Sequence, residues 1–199
     1  MSEWFEKRTL GRLPADAAAR WASAEALVFK DQRWTWNEFS AEVDCAAKAL
    51  IVIGVAPGEK VALWMNNKPE WLFLMYAVAK IGAVLVPLNT RYRTEDIDYV
   101  LKQSNTGTII SDDRSGPVDY LGMLRDVLPD TAGGNPLAHQ LEGLPDLHRI
   151  VFVGDDKLTS TLTWTEAIAR SGEVSDTVLE ARAAAVDPDG LLMIAYTSG

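Results

Sequence analysis

From residue 35 onward, short continuous apolar runs alternate with longer stretches whose apolar residues recur every three or four positions, and no other feature narrows the fold as much. The first long stretch opens with Thr35-Trp36-Asn37-Glu38. In this Ser/Thr-x-x-Glu form, hydroxyl and carboxylate each accept a bond from an orphan N–H of a first helical turn. Phe39, Val43, Ala46, Leu50 and Ile53 follow on one helical face, Gly54 suits the left-handed residue that ends a helix, and Pro57-Gly58 turns the chain. Val61-Ala62-Leu63-Trp64-Met65 then reads as a strand covered on both faces. Pro69 and Glu70 suit a first helical turn. The helix predicted over 70–81 is apolar nearly all round, as in a helix sandwiched inside a domain, and Gly82 closes it.

The rhythm continues through a strand at 83–86, a helix from Thr94-Glu95-Asp96 with Ile97, Val100 and Leu101 on one side, and a strand at Thr108-Ile109-Ile110. A helix at 118–128 after Pro117 and a strand at Ile150-Val151-Phe152-Val153 complete it. Such alternation predicts an α/β fold, a mainly parallel sheet with helices on both faces and right-handed crossovers. Ahead of it, the Ala-rich opening to about Leu27 reads as helix with Trp21 as a packing anchor. Val28-Phe29 and Arg33-Trp34-Thr35, flanking Lys30-Asp31-Gln32, read as a short N-terminal hairpin. Residues 131–147, with Gly133-Gly134, Asn135-Pro136 and Pro145, break the rhythm as a loop. Thr163-Trp164-Thr165-Glu166 is a second capping box, starting a helix that ends near Gly172, and another helix is predicted over 176–186. Asp187-Pro188-Asp189-Gly190 turns the chain into Leu191-Leu192-Met193-Ile194-Ala195, read as a fifth strand.

Composition excludes several classes of function. A formal net charge of −9 and a pI of about 4.7 argue against a nucleic-acid partner, whose phosphates need a positive patch. The only cysteine, Cys45, has no disulfide partner and reads as a small hydrophobe on a helix. Charge at Glu3 and Glu6 leaves no signal-peptide core at the start, and the apolar run at 71–79 is too short for a bilayer, so a cytoplasmic location is expected. The sequence holds no G-x-G-x-x-G after a strand, complete G-x-x-x-x-G-K-[ST], H-E-x-x-H or G-x-S-x-G. No catalytic residue and no metal ligand set is therefore assigned. His139 and His148 read as solvent-facing loop residues. Asp112-Asp113 and Asp155-Asp156 follow strands and read as turn residues, although carboxylates at strand carboxyl ends can line a crevice.

The remaining candidate is Tyr196-Thr197-Ser198-Gly199, where an apolar run gives way to small hydroxylated residues. Phosphate binding uses inward N–H groups, hydroxyl donors and a glycine that lets the anion approach. Taken alone, the tetrapeptide is an ordinary turn. Upstream stand Arg33-Trp34-Thr35-Trp36-Asn37-Glu38-Phe39, Gly54-Val55-Ala56-Pro57-Gly58-Glu59-Lys60-Val61, Asn67-Lys68-Pro69-Glu70-Trp71 and Lys80-Ile81-Gly82-Ala83-Val84-Leu85-Val86-Pro87-Leu88-Asn89. In order and spacing these segments resemble the N-terminal part of the adenylate-forming superfamily of acyl-CoA synthetases, luciferase and peptide-synthetase adenylation domains. Most of them build scaffold; the resemblance carries phosphate contacts only to Thr197, Ser198 and Gly199.

That resemblance implies a partial N-terminal AMP-binding domain over 1–199, ending as its phosphate loop begins. It implies a parent enzyme that uses ATP, Mg2+ and CoA to convert a carboxylic acid, medium- or long-chain fatty by the look of 88–93 and 120–189, through acyl-AMP to acyl-CoA. The catalytic lysine and the adenine, ribose and magnesium residues would lie downstream, leaving this chain inactive by itself. An isolated chain is expected to form a homodimer through the apolar edge at 191–195, or to leave that edge disordered. An acyl-AMP ligase serving a carrier protein, or a stand-alone α/β nucleotide-binding or interaction domain, is the alternative.

Overall fold

The computed structural model describes residues 7–128, 131 and 133–197. A short 3-10 turn, Leu10–Arg12, leads into α1 (Leu13–Trp21), and β1 (Glu25–Phe29) and β2 (Gln32–Thr35) form the expected antiparallel hairpin, with Lys30 at φ 52° in its turn. There follow α2 (Trp36–Val52), β3 (Lys60–Trp64), α3 (Pro69–Lys80), β4 (Val84–Pro87), α4 (Thr94–Gln103) and β5 (Thr106–Asp112). Then come β6 (Arg114–Ser115), β7 (Val118–Asp119), α5 (Tyr120–Val127), β8 (Arg149–Val153), β9 (Leu162–Thr163), α6 (Trp164–Ala169), the 3-10 turn Ser171–Glu173 and α7 (Asp176–Ala184).

Among the described residues, one parallel sheet runs in the order β4-β3-β5-β8-β9. Side chains leave a strand alternately to its two faces, and the cores divide accordingly. Val61, Leu63, Leu85, Ile110, Val151 and Val153 join a cluster with residues of α2 and α3, together with Ala167 of α6 and Leu179 of α7. Ala62, Trp64, Val86, Ile109, Ile150 and Phe152 join a second cluster with residues of α4 and α5 and with Leu141, Leu144 and Leu147 of the long loop. The path goes from β3 outward to β4 through α3 on one face, then back across β3 to β5 through α4 on the other. The reversal of direction is matched by a reversal of face, as a single hand of crossover requires. A ligand crevice in such a sheet lies at the carboxyl ends of the strands where the order reverses, here β3 and β5.

Both capping boxes form. Thr35 N–H donates to Glu38 Oε2 at 2.8 Å and Glu38 N–H to Thr35 Oγ1 at 3.3 Å; the Thr163–Glu166 pair repeats this at 2.7 and 3.1 Å. The predicted face of α2, from Phe39 to Ile53, is buried throughout. Gly54 and Gly82 take φ 96° and 72°, the left-handed exits their positions called for.

Other expectations fail. The opening helix ends at Trp21, because Leu27 belongs to β1; Trp21 is 55% exposed and sits beside the Trp36 ring at 6.5 Å rather than anchoring the core. Helix α5 starts at Tyr120, not 118. Val118–Asp119 pairs back onto Arg114–Ser115 around Gly116, and Asp119 Oδ1 caps the helix by accepting from Gly122 N–H at 2.9 Å. His139 is 2% exposed rather than solvent-facing, because the loop folds over it. Finally, 191–195 is no strand: among the described residues one parallel bridge, Leu85 to Met193, is its whole pairing, and the strand at the sheet's opposite edge is β9. Leu191, Leu192 and Met193 are 62, 39 and 36% exposed, and among the described residues the run's strand-like pairing is on one side only. Cys45 is half-buried, its Sγ 3.4 Å from Ser171 Oγ.

Candidate functional site

The segment leading to Thr197 is held from one side. Leu85 N–H donates to Leu192 O at 3.0 Å and Ile194 N–H donates to Leu85 O at 2.9 Å, so the chain runs parallel to β4 toward the carboxyl end of the sheet. The Tyr196 ring packs against the second core cluster, with Tyr92 and Ile194 at the same edge, and its hydroxyl donates to Gln103 Oε1 of α4. Burial pushes the Tyr196 pKa up, against an opposing hydrogen bond with the Ser104 side chain and with smaller upward pushes from Tyr99 and Tyr92. Thr197 is exposed. Ser198 and Gly199, the other two residues expected to contact phosphate, lie outside the described residues.

At the carboxyl ends of β3 and β5 stands a constellation the sequence reading missed. Asp112, read as a turn residue, is the last residue of β5 and 1% exposed. Its Oδ2 accepts from Asn66 N–H at 3.0 Å, while its Oδ1 forms an ion pair with Lys68. The Asn66 side-chain amide donates to Ser115 Oγ, and Lys68 Nζ also lies 3.4 Å from Val153 O. The Tyr120 hydroxyl is buried nearby without a hydrogen-bond partner. Burial first, and then the Asp112 charge, push its pKa up. These contacts lock the loops after β3 and β5 to each other. The signal that could have found them is strand order, since Asn66 and Asp112 become neighbours only when β3 and β5 pair. Asp113 does act as a turn residue, accepting from Arg114 N–H at 2.6 Å and Asp156 N–H at 3.2 Å, and Asp155 and Asp156 are exposed.

His139 N–H donates to His148 O at 2.9 Å, and His139 Nε2 lies 3.0 Å from Ser160 O, so both histidines stitch loops together. Burial holds the His139 pKa below the ordinary value. Among the described residues no group of three or more His, Cys, Asp or Glu could hold a metal ion, and no helix is long and apolar enough to cross a membrane.

Comparison with known proteins gives these features a context. The Bacillus subtilis (strain 168) protein YngI, which carries an acyl-CoA synthetase name, is 33% identical over 193 residues, covering 96% of this chain and 35% of that protein. The human mitochondrial medium-chain acyl-CoA ligase ACSF2 is 30% identical over 167 residues, 83% of this chain and 27% of the relative. The chain thus spans between about a quarter and a third of the length of these relatives. The structure of a Mycobacterium tuberculosis fatty acyl CoA synthetase shares the fold with a TM-score of 0.63 at 22% identity, over 96% of this chain and 32% of that one. The family profile described as "AMP-binding enzyme" matches residues 14–199, nearly the whole of the sheet and helices described above. The chain belongs to the AMP-binding enzyme family, and its relatives are acyl-CoA synthetases and ligases.

Proposed function

We propose that this chain is the opening part of the AMP-binding domain of an ATP-dependent acyl-CoA synthetase, and that Thr197, Ser198 and Gly199 begin the loop that binds ATP phosphates. The observation that carries the reading is the family match running to residue 199, with Tyr196-Thr197 delivered along β4 on a tethered, exposed segment. In the proposed reaction a carboxylate attacks the α-phosphorus of ATP, forming acyl-AMP and releasing pyrophosphate; the CoA thiol then displaces AMP. The proposed role of the Thr197 hydroxyl is to donate to a phosphate oxygen, countering charge that develops there. Its exposure at the end of the segment fits that role.

Mg2+ and CoA belong to the same proposal, held by residues beyond this chain, and the 199 residues alone are inactive on this reading. The substrate proposed is a medium- or long-chain fatty acid, in line with the names of the human and Mycobacterium tuberculosis proteins. A cytosolic location, and association of isolated chains through the edge at 191–195, complete it. The test uses the protein expressed from its complete reading frame. Pyrophosphate release and hydroxamate trapping across a panel of acids should show turnover with fatty acids. Turnover confined to aromatic or amino acids would overturn the substrate, absence of any turnover the activity, and pyrophosphate release by the 199-residue chain its inactivity.

A further inference from the structure

Between the exposed run at 191–193 and the exposed Thr197, two residues are fastened down, Ile194 by its main chain and Tyr196 by its side chain. Tyr196 is half-buried, and its hydroxyl reaches Gln103, which lies 93 positions earlier in the chain. Gln103 is the last residue of α4, a helix fixed by the buried Ile97, Val100 and Leu101 and capped by Asp96 Oδ2, which accepts from Arg93 N–H at 2.8 Å. The last described main-chain bond before Thr197 is made by Ile194. Tyr196 is therefore the final described tether, one residue upstream of the first proposed phosphate contact.

We propose that Tyr196 and Gln103 are positioning residues for the phosphate loop. Their bond fixes where the chain leaves the sheet edge, so that Thr197 is in place before the nucleotide arrives. A loop already ordered pays less conformational entropy on binding, and the gain appears as affinity. Tyr196 acts through the loop and touches no phosphate. The inference rests on the phosphate-loop reading above.

The experiment compares Tyr196→Phe, Gln103→Ala and the double variant in the protein from the complete reading frame, with Thr197→Ala and Ser198→Ala as reporters of the loop itself. ATP affinity is measured by calorimetry, and KM for ATP and kcat by pyrophosphate release. Tyr196→Phe keeps the ring and its packing, so only the hydroxyl's bonds to Gln103 and Ser104 are lost. Each single variant should weaken ATP by about fivefold, the size of one hydrogen bond, with kcat within about twofold, because the lost interaction serves binding uniformly. The double variant should be no weaker than Tyr196→Phe, the mark of a shared contact. Unchanged ATP affinity in Tyr196→Phe, or losses that multiply in the double variant, would overturn the proposal. If Thr197→Ala and Ser198→Ala also leave ATP affinity unchanged, the phosphate-loop reading falls with it. If they weaken ATP while Tyr196→Phe does not, the positioning role alone is lost.

Discussion

At the scale of single residues, the least conspicuous positions are the most constrained. Gly11 is buried against the end of α3, where an added Cβ would lie 2.3 Å from Lys80 Cα and 2.4 Å from its backbone nitrogen. Neither atom can yield without moving α3, and Lys80 is itself 4% exposed with Nζ 2.5 Å from Asp44 Oδ1. Gly11→Ala should cost about 1–3 kcal/mol, the range for overpacking; an unchanged urea midpoint would refute this close approach. His139 makes a second prediction. Its imidazole is held neutral by burial, while the unfolded chain takes up a proton near the ordinary histidine value. Its contribution is complete above about pH 6.5 and is lost as pH falls below it. Urea midpoints at about pH 7.5 and about pH 5.5 should drop more in the parent than in His139→Gln. Glu38, Glu166 and Asp176, whose pKa values are lowered, lose their contribution only at and below the ordinary carboxylate range, outside that window. Equal drops in both proteins would show that the imidazole does not carry the effect.

At the scale of elements, what could be read from sequence was local. The two capping boxes and the spacing from Phe39 to Ile53 placed α2 and α6, since their causes lie within four residues of one another. The strands β3, β4, β5 and β8 announced themselves as apolar runs, but their order did not, because parallel neighbours are joined by distant pairings. β9 has two residues, too few for any period, and the β6–β7 pair is equally short. The segment 191–195 errs the other way, with the composition of a strand and, among the described residues, one partner. Leu192 O and Ile194 N–H face β4, so the N–H and C=O of Met193 point away from it. An open apolar edge is a template for another chain. The isolated 199-residue chain should therefore associate as concentration rises in sedimentation velocity, and Met193→Lys should abolish the association. A monodisperse monomer across the range would count against the edge as a pairing surface.

At the scale of the whole molecule, the two ends of the sheet are built differently, and that difference assigns them different work. At the amino end, Arg149 at the start of β8 is 8% exposed, and each of its three guanidinium nitrogens makes a hydrogen bond. It donates through Nε to Ile53 O at 2.7 Å, through Nη2 to Gly54 O at 2.6 Å, and through Nη1 to Glu59 Oε1 at 2.8 Å. Glu59 Oε1 also accepts from Thr108 Oγ1 at 2.7 Å, and Arg182 of α7 donates to Val55 O at 2.5 Å. Two arginines distant in sequence thus seal the connection from α2 to β3, a role no local pattern could announce. At the carboxyl end Lys68 is held by Asp112, and Thr197 is exposed; crevices in open α/β sheets lie at this end. Stability and nucleotide binding should then separate by end. Removing one partner of a buried pair leaves the other uncompensated, so Arg149→Met should cost about 3–5 kcal/mol. Arg149→Met combined with Glu59→Met should recover part of that loss, because the stranded carboxylate is gone. In the protein from the complete reading frame, ATP affinity per folded molecule should stay within about twofold of the parent, since a change this remote from the loop alters no transition-state or ground-state contact. Calorimetry with ATP on the folded variant decides it: weakened binding at unchanged loop residues would mean that the amino end reaches the site and that the two ends are one mechanical unit.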